Sequence, residues 1–193
     1  MARVKTFDRE EVLHKAMHLF WVKGYNATSM QDLVDTLGIN RSSMYDTFGD
    51  KRQLFLTALR TYHTNANRPL LEMIQQTEDV EELLNKIFGT TVQECSSKDG
   101  SKGCFVANSA VELAPHDEEV AAIVQENMDD LENALTKRFT KAQADGTISK
   151  QQTPRSLARF VMNTLTGLRI AAKSGAGRKK YTDVVNVAMT LLK

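Results

Sequence analysis

A chain of 193 residues with 41% hydrophobic and 25% charged residues, and only 3 prolines and 10 glycines, has a globular balance that excludes a collagen-like or low-complexity fold. Its length suits one ordinary domain, or a small module joined to a larger body through a shared helix. A formal net charge of +1 excludes a surface that is cationic throughout, so nucleic-acid binding has to come from a local arrangement of lysines and arginines.

Between Phe7 and Tyr25, the residues Val12, Leu13, Ala16, Met17, Leu19 and Phe20 recur at spacings of three and four. This predicts a first helix with Asp8 as N-cap and Gly24 as its stop. Thr28 or Ser29 opens a short second helix through Met30, Leu33, Val34 and Leu37, with Asp32 placed as a capping-box acid and Gly38 closing it. Asn40 caps a third short helix through Phe48, and the helix, glycine turn and helix together have the dimensions of a helix-turn-helix. Asp50 starts a longer helix, striped by Leu54, Phe55, Ala58, Leu59 and Tyr62, that Pro69 kinks or ends. Further helices are predicted at about 79–96, 104–114 and 117–145, then from Pro154 to about Lys173 and over about 178–192. Ser96–Gly103 and Lys173–Lys180 are loops, no strand pattern competes, and no internal repeat is visible. The predicted class is therefore all-α, with about nine helices.

The strings Gly24-Tyr25-Asn26-Ala27-Thr28-Ser29-Met30 and Gly38-Ile39-Asn40-Arg41-Ser42-Ser43-Met44-Tyr45-Asp46-Thr47-Phe48-Gly49-Asp50-Lys51, followed by Leu54, resemble the signature of the TetR family of transcriptional regulators over about residues 7–60. The resemblance implies a DNA-binding module over 1–50, an effector-sensing and dimerising body over 51–193, and a repressor acting on double-stranded, palindromic operator DNA. Helix N-termini expose unpaired N–H groups that suit phosphate oxygens, which makes Thr28, Ser29 and Lys51 backbone anchors. On the third helix, headed by Asn40, Arg41 is suited to a bidentate pair with guanine, and Ser42, Ser43 and Thr47 to either kind of base edge. By the resemblance Tyr45 touches phosphate, and Asp46, where the family often has histidine, shifts operator preference or repels phosphate. One short reading helix makes few phosphate contacts, so useful affinity requires two copies about one DNA turn apart, or a multiple of it.

For the dimer, Leu157, Phe160, Val161, Leu165 and Leu168 form one apolar face, and Tyr181, Val184, Val185, Ala188, Leu191 and Leu192 another. The resemblance implies that these last two helices carry the interface; the alternative is that they fill the chain's own core.

The string Lys102 to Leu113 resembles a subgroup with Gly-Cys at the start of its sixth helix, some of whose members sense electrophiles or oxidants through that cysteine. Cys104 stands at a helix N-terminus two residues after Lys102, surroundings in which thiols become reactive; it is equally read as a small buried packing residue. Asn108 and Glu112 follow at spacings of four, so the three line one side of a cavity for a small-molecule or electrophile effector. Met73, Phe88, Met128 and Met162 are candidate soft walls, or plain core.

His14 and His18 find no third ligand, so no metal and no cofactor are expected. Nor is an enzyme, for want of a nucleophile–base arrangement or a phosphate loop. Cys95 and Cys104 are read as free thiols. Without an apolar span of about 20 residues or a secretory signal at Met1–Lys5, the expected location is cytoplasmic, with no membrane partner. The rival reading is a DNA-bound regulator acting through a protein partner, which a body without a cavity near Asn108 would favour.

Overall fold

The computed structural model describes residues 7–191, among which there are nine α-helices and no strand. They are α1 (Arg9–Lys23), α2 (Met30–Leu37), α3 (Arg41–Phe48), α4 (Lys51–Gln76), α5 (Val80–Ser96), α6 (Phe105–Glu112), α7 (Glu118–Ala144), α8 (Pro154–Lys173) and α9 (Arg178–Leu191). A single 3-10 turn, Gly100–Lys102, leads into α6. The starts follow local chemistry: Asp8, Ser29, Asn40, Asp50, Asp79, Asp117 and Thr153 each accept a first-turn backbone N–H with their own side chain. Ser29 and Asp32 form the expected reciprocal capping box.

Pro69 does not end α4, which continues to Gln76. Proline lacks one backbone donor, but Ile74 beyond it is buried and Leu70, Leu71 and Met73 pack on the core of the body, so tertiary packing carries the helix past the break.

Two cores organise the chain. The first joins Val12, Ala16 and Phe20 of α1 to Leu33, Leu37, Met44 and Phe48 of the helix-turn-helix and to Leu54, Phe55, Ala58 and Leu59 of α4. It also takes in Phe105 and Val106 of α6 and Val120 and Ile123 of α7, so it is not confined to the first 50 residues. The second core packs α5, the C-terminal part of α7, α8 and α9 around Leu83, Phe88, Leu135, Phe139, Val161 and Leu165.

The apolar faces assigned to dimerisation divide differently from the sequence expectation. Leu157, Val161, Leu165, Leu168, Tyr181 and Ala188 are buried within the chain itself, because α8 faces α7 and α5 before it meets anything else. Left outside on the same two helices are Ile170, Val184 and Val187, which are 51%, 48% and 62% exposed. Leu192 and the side chain of Leu191, both placed on that face by the sequence, lie outside the described residues, as does Met1–Lys5.

Where the reading helices meet the body, Phe55 stands edge-on to Phe20 (centroids 5.2 Å apart), Tyr25 (5.0 Å) and Phe105 (5.7 Å). Truncating this ring removes contacts to α1, to the corner that follows it and to α6 at once. Phe55→Ala is expected to lower the unfolding free energy by about 3–5 kcal/mol, read as a shift in urea midpoint.

Candidate nucleic-acid interface and sensing cavity

The reading helix α3 is held by two side chains one turn apart, Met44 and Phe48, both buried. Their burial turns Arg41, Ser42, Tyr45 and Asp46 outward, with Ser43 and Thr47 half-buried at the flanks. Arg41 lies over the Tyr45 ring, 6.0 Å from its centroid, and the Ser42 hydroxyl donates to Asp46 at 3.4 Å. The Asn40 side-chain Oδ1 caps the helix by accepting the Ser43 N–H at 2.8 Å, which leaves its side-chain NH2 for other partners.

Two expected phosphate anchors have other work. Thr28 is fully buried, and its hydroxyl donates to the Gly24 carbonyl at 2.6 Å, so this side chain locks the corner between α1 and α2 and is closed to solvent. Ser29 is exposed, but its hydroxyl donates to Asp32 at 2.6 Å. Hydrogen bonds from Lys23 and Ser29 hold the Asp32 carboxyl well below the usual range. Lys51 rests on the Tyr25 ring, 4.2 Å from its centroid; burial pulls its pKa down, against the opposing charges of Glu112 and Asp32.

Two acids clasp the reading module and the start of α4 to the helices behind them. Glu112, at the end of α6, accepts the backbone N–H of Tyr25 at 3.1 Å and of Asn26 at 2.8 Å. It does not line a cavity with Cys104 and Asn108 as its spacing suggested. The corner it grips is built for it: Gly24 has φ +85°, and a Cβ there would stand 3.1 Å from a Glu112 oxygen. Asp117, the N-cap of α7, takes a bidentate pair from Arg52 of α4 at 3.0 and 2.9 Å, and Arg52 and Arg60 both reach Glu119. Neither clasp is visible in local spacing, since the partners lie 65 to 87 residues apart.

A cavity of about 440 Å³ opens between α4, α5 and the loop before α6. Ala66, Pro69, Leu70 and Met73 of α4 and Ile87 of α5 give it an apolar side. Trp21 of α1, Tyr62 of α4 and Gly103 of the loop bound it toward the reading module. Glu94, Cys95 and Arg169 form its polar side. Of the residues expected to sense a ligand, Met73 is a wall, whereas Phe88 is buried in the second core, Met162 packs against that core, and Met128 packs on the first.

Cys104 is half-buried beside this cavity, with the Tyr62 hydroxyl 3.9 Å from its Sγ. Burial, then Cys104, push the Tyr62 pKa upward. Lys102, the cation the sequence placed near the thiol, is engaged elsewhere: it pairs with Asp99 at 2.7 Å and lies over Trp21. Arg169, from far along the chain, is the cation whose own charge Cys104 supports. Burial works against its charge, but Cys104, Glu94, Tyr62 and Cys95 together hold its pKa above the ordinary value. Burial likewise pushes the Cys95 thiol up, with Arg169 opposing. Asn108 latches the loop by donating to the Lys102 carbonyl at 3.0 Å, and Gly100 is obligatory there because a Cβ would stand 2.3 Å from the Cys95 carbonyl oxygen. Among the described residues no group of three or more metal-ligating side chains occurs, and no helix is long and apolar enough to cross a membrane.

A helix-turn-helix clasped to a larger all-helical body defines a class of DNA-binding regulator, and comparison with known proteins gives the family. The family model for bacterial regulatory proteins of the tetR family matches residues 12–58, and that for the tetracyclin repressor-like C-terminal domain matches residues 81–187. The chain is 36% identical over 193 residues to the uncharacterized HTH-type transcriptional regulator YezE of Bacillus subtilis, covering 100% of both chains. It is 31% identical over 190 residues to the HTH-type transcriptional repressor ComR of Escherichia coli, covering 98% of this chain and 90% of ComR. A cysteine mutant of the TetR-family transcriptional regulator CifR, solved with 26-base-pair double-strand operator DNA, superposes with TM-score 0.88 at 27% identity over 100% of both chains. The chain belongs to the TetR family: it is a sequence-specific DNA-binding transcriptional regulator.

The Asp117 clasp has a definite pH signature. Hydrogen bonding to Arg52, then to the Val120 N–H, lowers the Asp117 pKa in the fold, so its stabilisation is complete above the unfolded carboxylate value of about 3.9 and is lost as pH falls through the lower folded value. Asp117→Asn keeps a capping oxygen but loses the charge. It is expected to cost about 0.5–1 kcal/mol at pH 7, after allowance for solvent screening, and progressively less as pH falls below about 3.9, in paired urea titrations.

Proposed function

We propose that the chain is a repressor that binds a palindromic operator as a homodimer and leaves it when a small molecule occupies the cavity between α4 and α5, or when Cys104 is modified. One observation carries this reading: the loop that bounds the cavity runs straight into α6, and the other end of α6 grips the corner of the reading module through Glu112. Trp21 supports it from the other side, since it belongs to α1 and is also a cavity wall. A ligand that shifts this loop, or an adduct on Cys104 at the head of α6, acts on the same lever. To empty the operator, the signal must favour the released state by about 5 kcal/mol. The cavity beside Gly103 favours a small-molecule signal over a protein partner, which needs no such space.

In this reading the dimer forms through α8 and α9, and the exposed Ile170, Val184 and Val187 support it. Arg41, Ser42 and Tyr45 face the DNA, with Ser43 and Thr47 at the edges of the contact and Asn40 and Lys51 at helix starts. Ser29 meets phosphate through its exposed position at the start of α2, and Thr28 serves only by holding that helix in place.

Genomic fragments bound by the purified protein supply the operator for two tests. In fluorescence anisotropy, Arg41→Ala is expected to lose about 1–3 kcal/mol and to relax preference at one base pair in each half-site, whereas Lys51→Ala weakens all sequences alike and reduces the salt dependence. Equal effects of the two would remove Arg41 from base reading. Glu112→Gln is expected to weaken operator binding about tenfold or more with the preferred sequence unchanged, because two backbone N–H groups lose a charged acceptor. Undiminished affinity in that variant would end the proposed lever through α6.

A further inference from the structure

We infer that the cavity between α4 and α5 takes a small amphipathic organic carboxylate, and that Arg169 is the residue that selects it. This rests on the reading of the cavity as the effector site and names the chemistry of its occupant.

Arg169 is the only cation among the cavity's described lining residues, and its side chain is 28% exposed. A guanidinium withdrawn this far from water requires an anion, and it offers a planar fork suited to a bidentate carboxylate. The structure gives it a poor one. The contact to Glu94 is a single one of 3.4 Å, well beyond the about 2.7–2.9 Å of a charge-assisted hydrogen bond, and the Glu94 side chain is 58% exposed. The other acid at the wall, Asp99, is 78% exposed and already paired with Lys102 at 2.7 Å. The remaining groups that act on Arg169 are two thiols and a phenol: Cys95, Cys104 and Tyr62.

Opposite this polar end, Leu70, Met73 and Ile87 offer an apolar surface, and a volume of about 440 Å³ holds one small molecule. A ligand carboxylate on Arg169 completes the fork, its hydrocarbon part covers the apolar side, and Glu94 swings out to solvent. Glu94 is thus a built-in competitor for the site.

The full-length protein is titrated with 4-phenylbutyrate and with its neutral isostere 4-phenylbutanamide, following the fluorescence of Trp21, the only tryptophan in the chain and a cavity wall. The expected result is saturable binding of the carboxylate at least tenfold tighter than the amide. Arg169→Met should erase the difference. Glu94→Gln, at an exposed position, should tighten the carboxylate several-fold relative to the amide. Equal binding of the two probes, no saturable change with either, or a preference that survives Arg169→Met would overturn the inference. If Arg169→Met fails to fold by circular dichroism, Glu94→Gln decides: carboxylate binding that is unchanged or weaker overturns it. Repeating the titration on the operator complex separates the two readings. Carboxylate binding with this dependence on Arg169 and Glu94 but without DNA release supports the ligand class and sinks the cavity as the release site.

Discussion

Two backbone N–H groups at the corner between α1 and α2 point at one carboxylate, and the orientation of the reading module depends on that contact. Tyr25 and Asn26 follow directly on the end of α1, where the chain turns toward α2 and its N–H groups have no helical partner. Glu112 supplies the acceptor from the far end of α6. A charged acceptor for two such groups is worth more than an ordinary surface ion pair, and it fixes direction as well as distance. The Arg52 to Asp117 pair repeats the device at the start of α4, so the two ends of the short segment between α6 and α7 each grip a neighbouring element.

The packing makes the same joint rigid. Phe105 and Val106 of α6 are buried in the core that also contains Phe20 of α1 and Phe55 of α4. Displacement of α6 therefore cannot be absorbed locally, because close-packed interiors transmit strain. The cavity lies at the opposite end of this helix and includes an α1 residue, Trp21, in its wall. The cavity and the helix-turn-helix are thus separated by a single two-turn helix, α6, whose eight residues leave little room for slack.

Chemistry along the chain also changes meaning with context. Lys102 stands two residues before Cys104 yet turns to Asp99 and Trp21, and the cation whose charge Cys104 supports, Arg169, comes from α8. Thr28 looked like a phosphate ligand and became a buried corner lock; Glu112 looked like a pocket residue and became a clasp. In each case the side chain meets its strongest available partner, which local spacing does not reveal.

What the sequence determined alone was everything governed by interactions within about four residues. The nine helices, the capping residues Asp8, Ser29, Asn40 and Asp50, and the outward set Arg41, Ser42 and Tyr45 on α3 follow from periodicity and capping, which are local. The passage of α4 beyond Pro69, the internal burial of Leu165 and Tyr181, the Glu112 and Asp117 clasps and the meeting of Trp21, Tyr62, Cys95 and Arg169 around one cavity were decided only by tertiary structure. Those features join residues tens of positions apart, and helical periodicity says which face of a helix is apolar without saying which other helix will cover it.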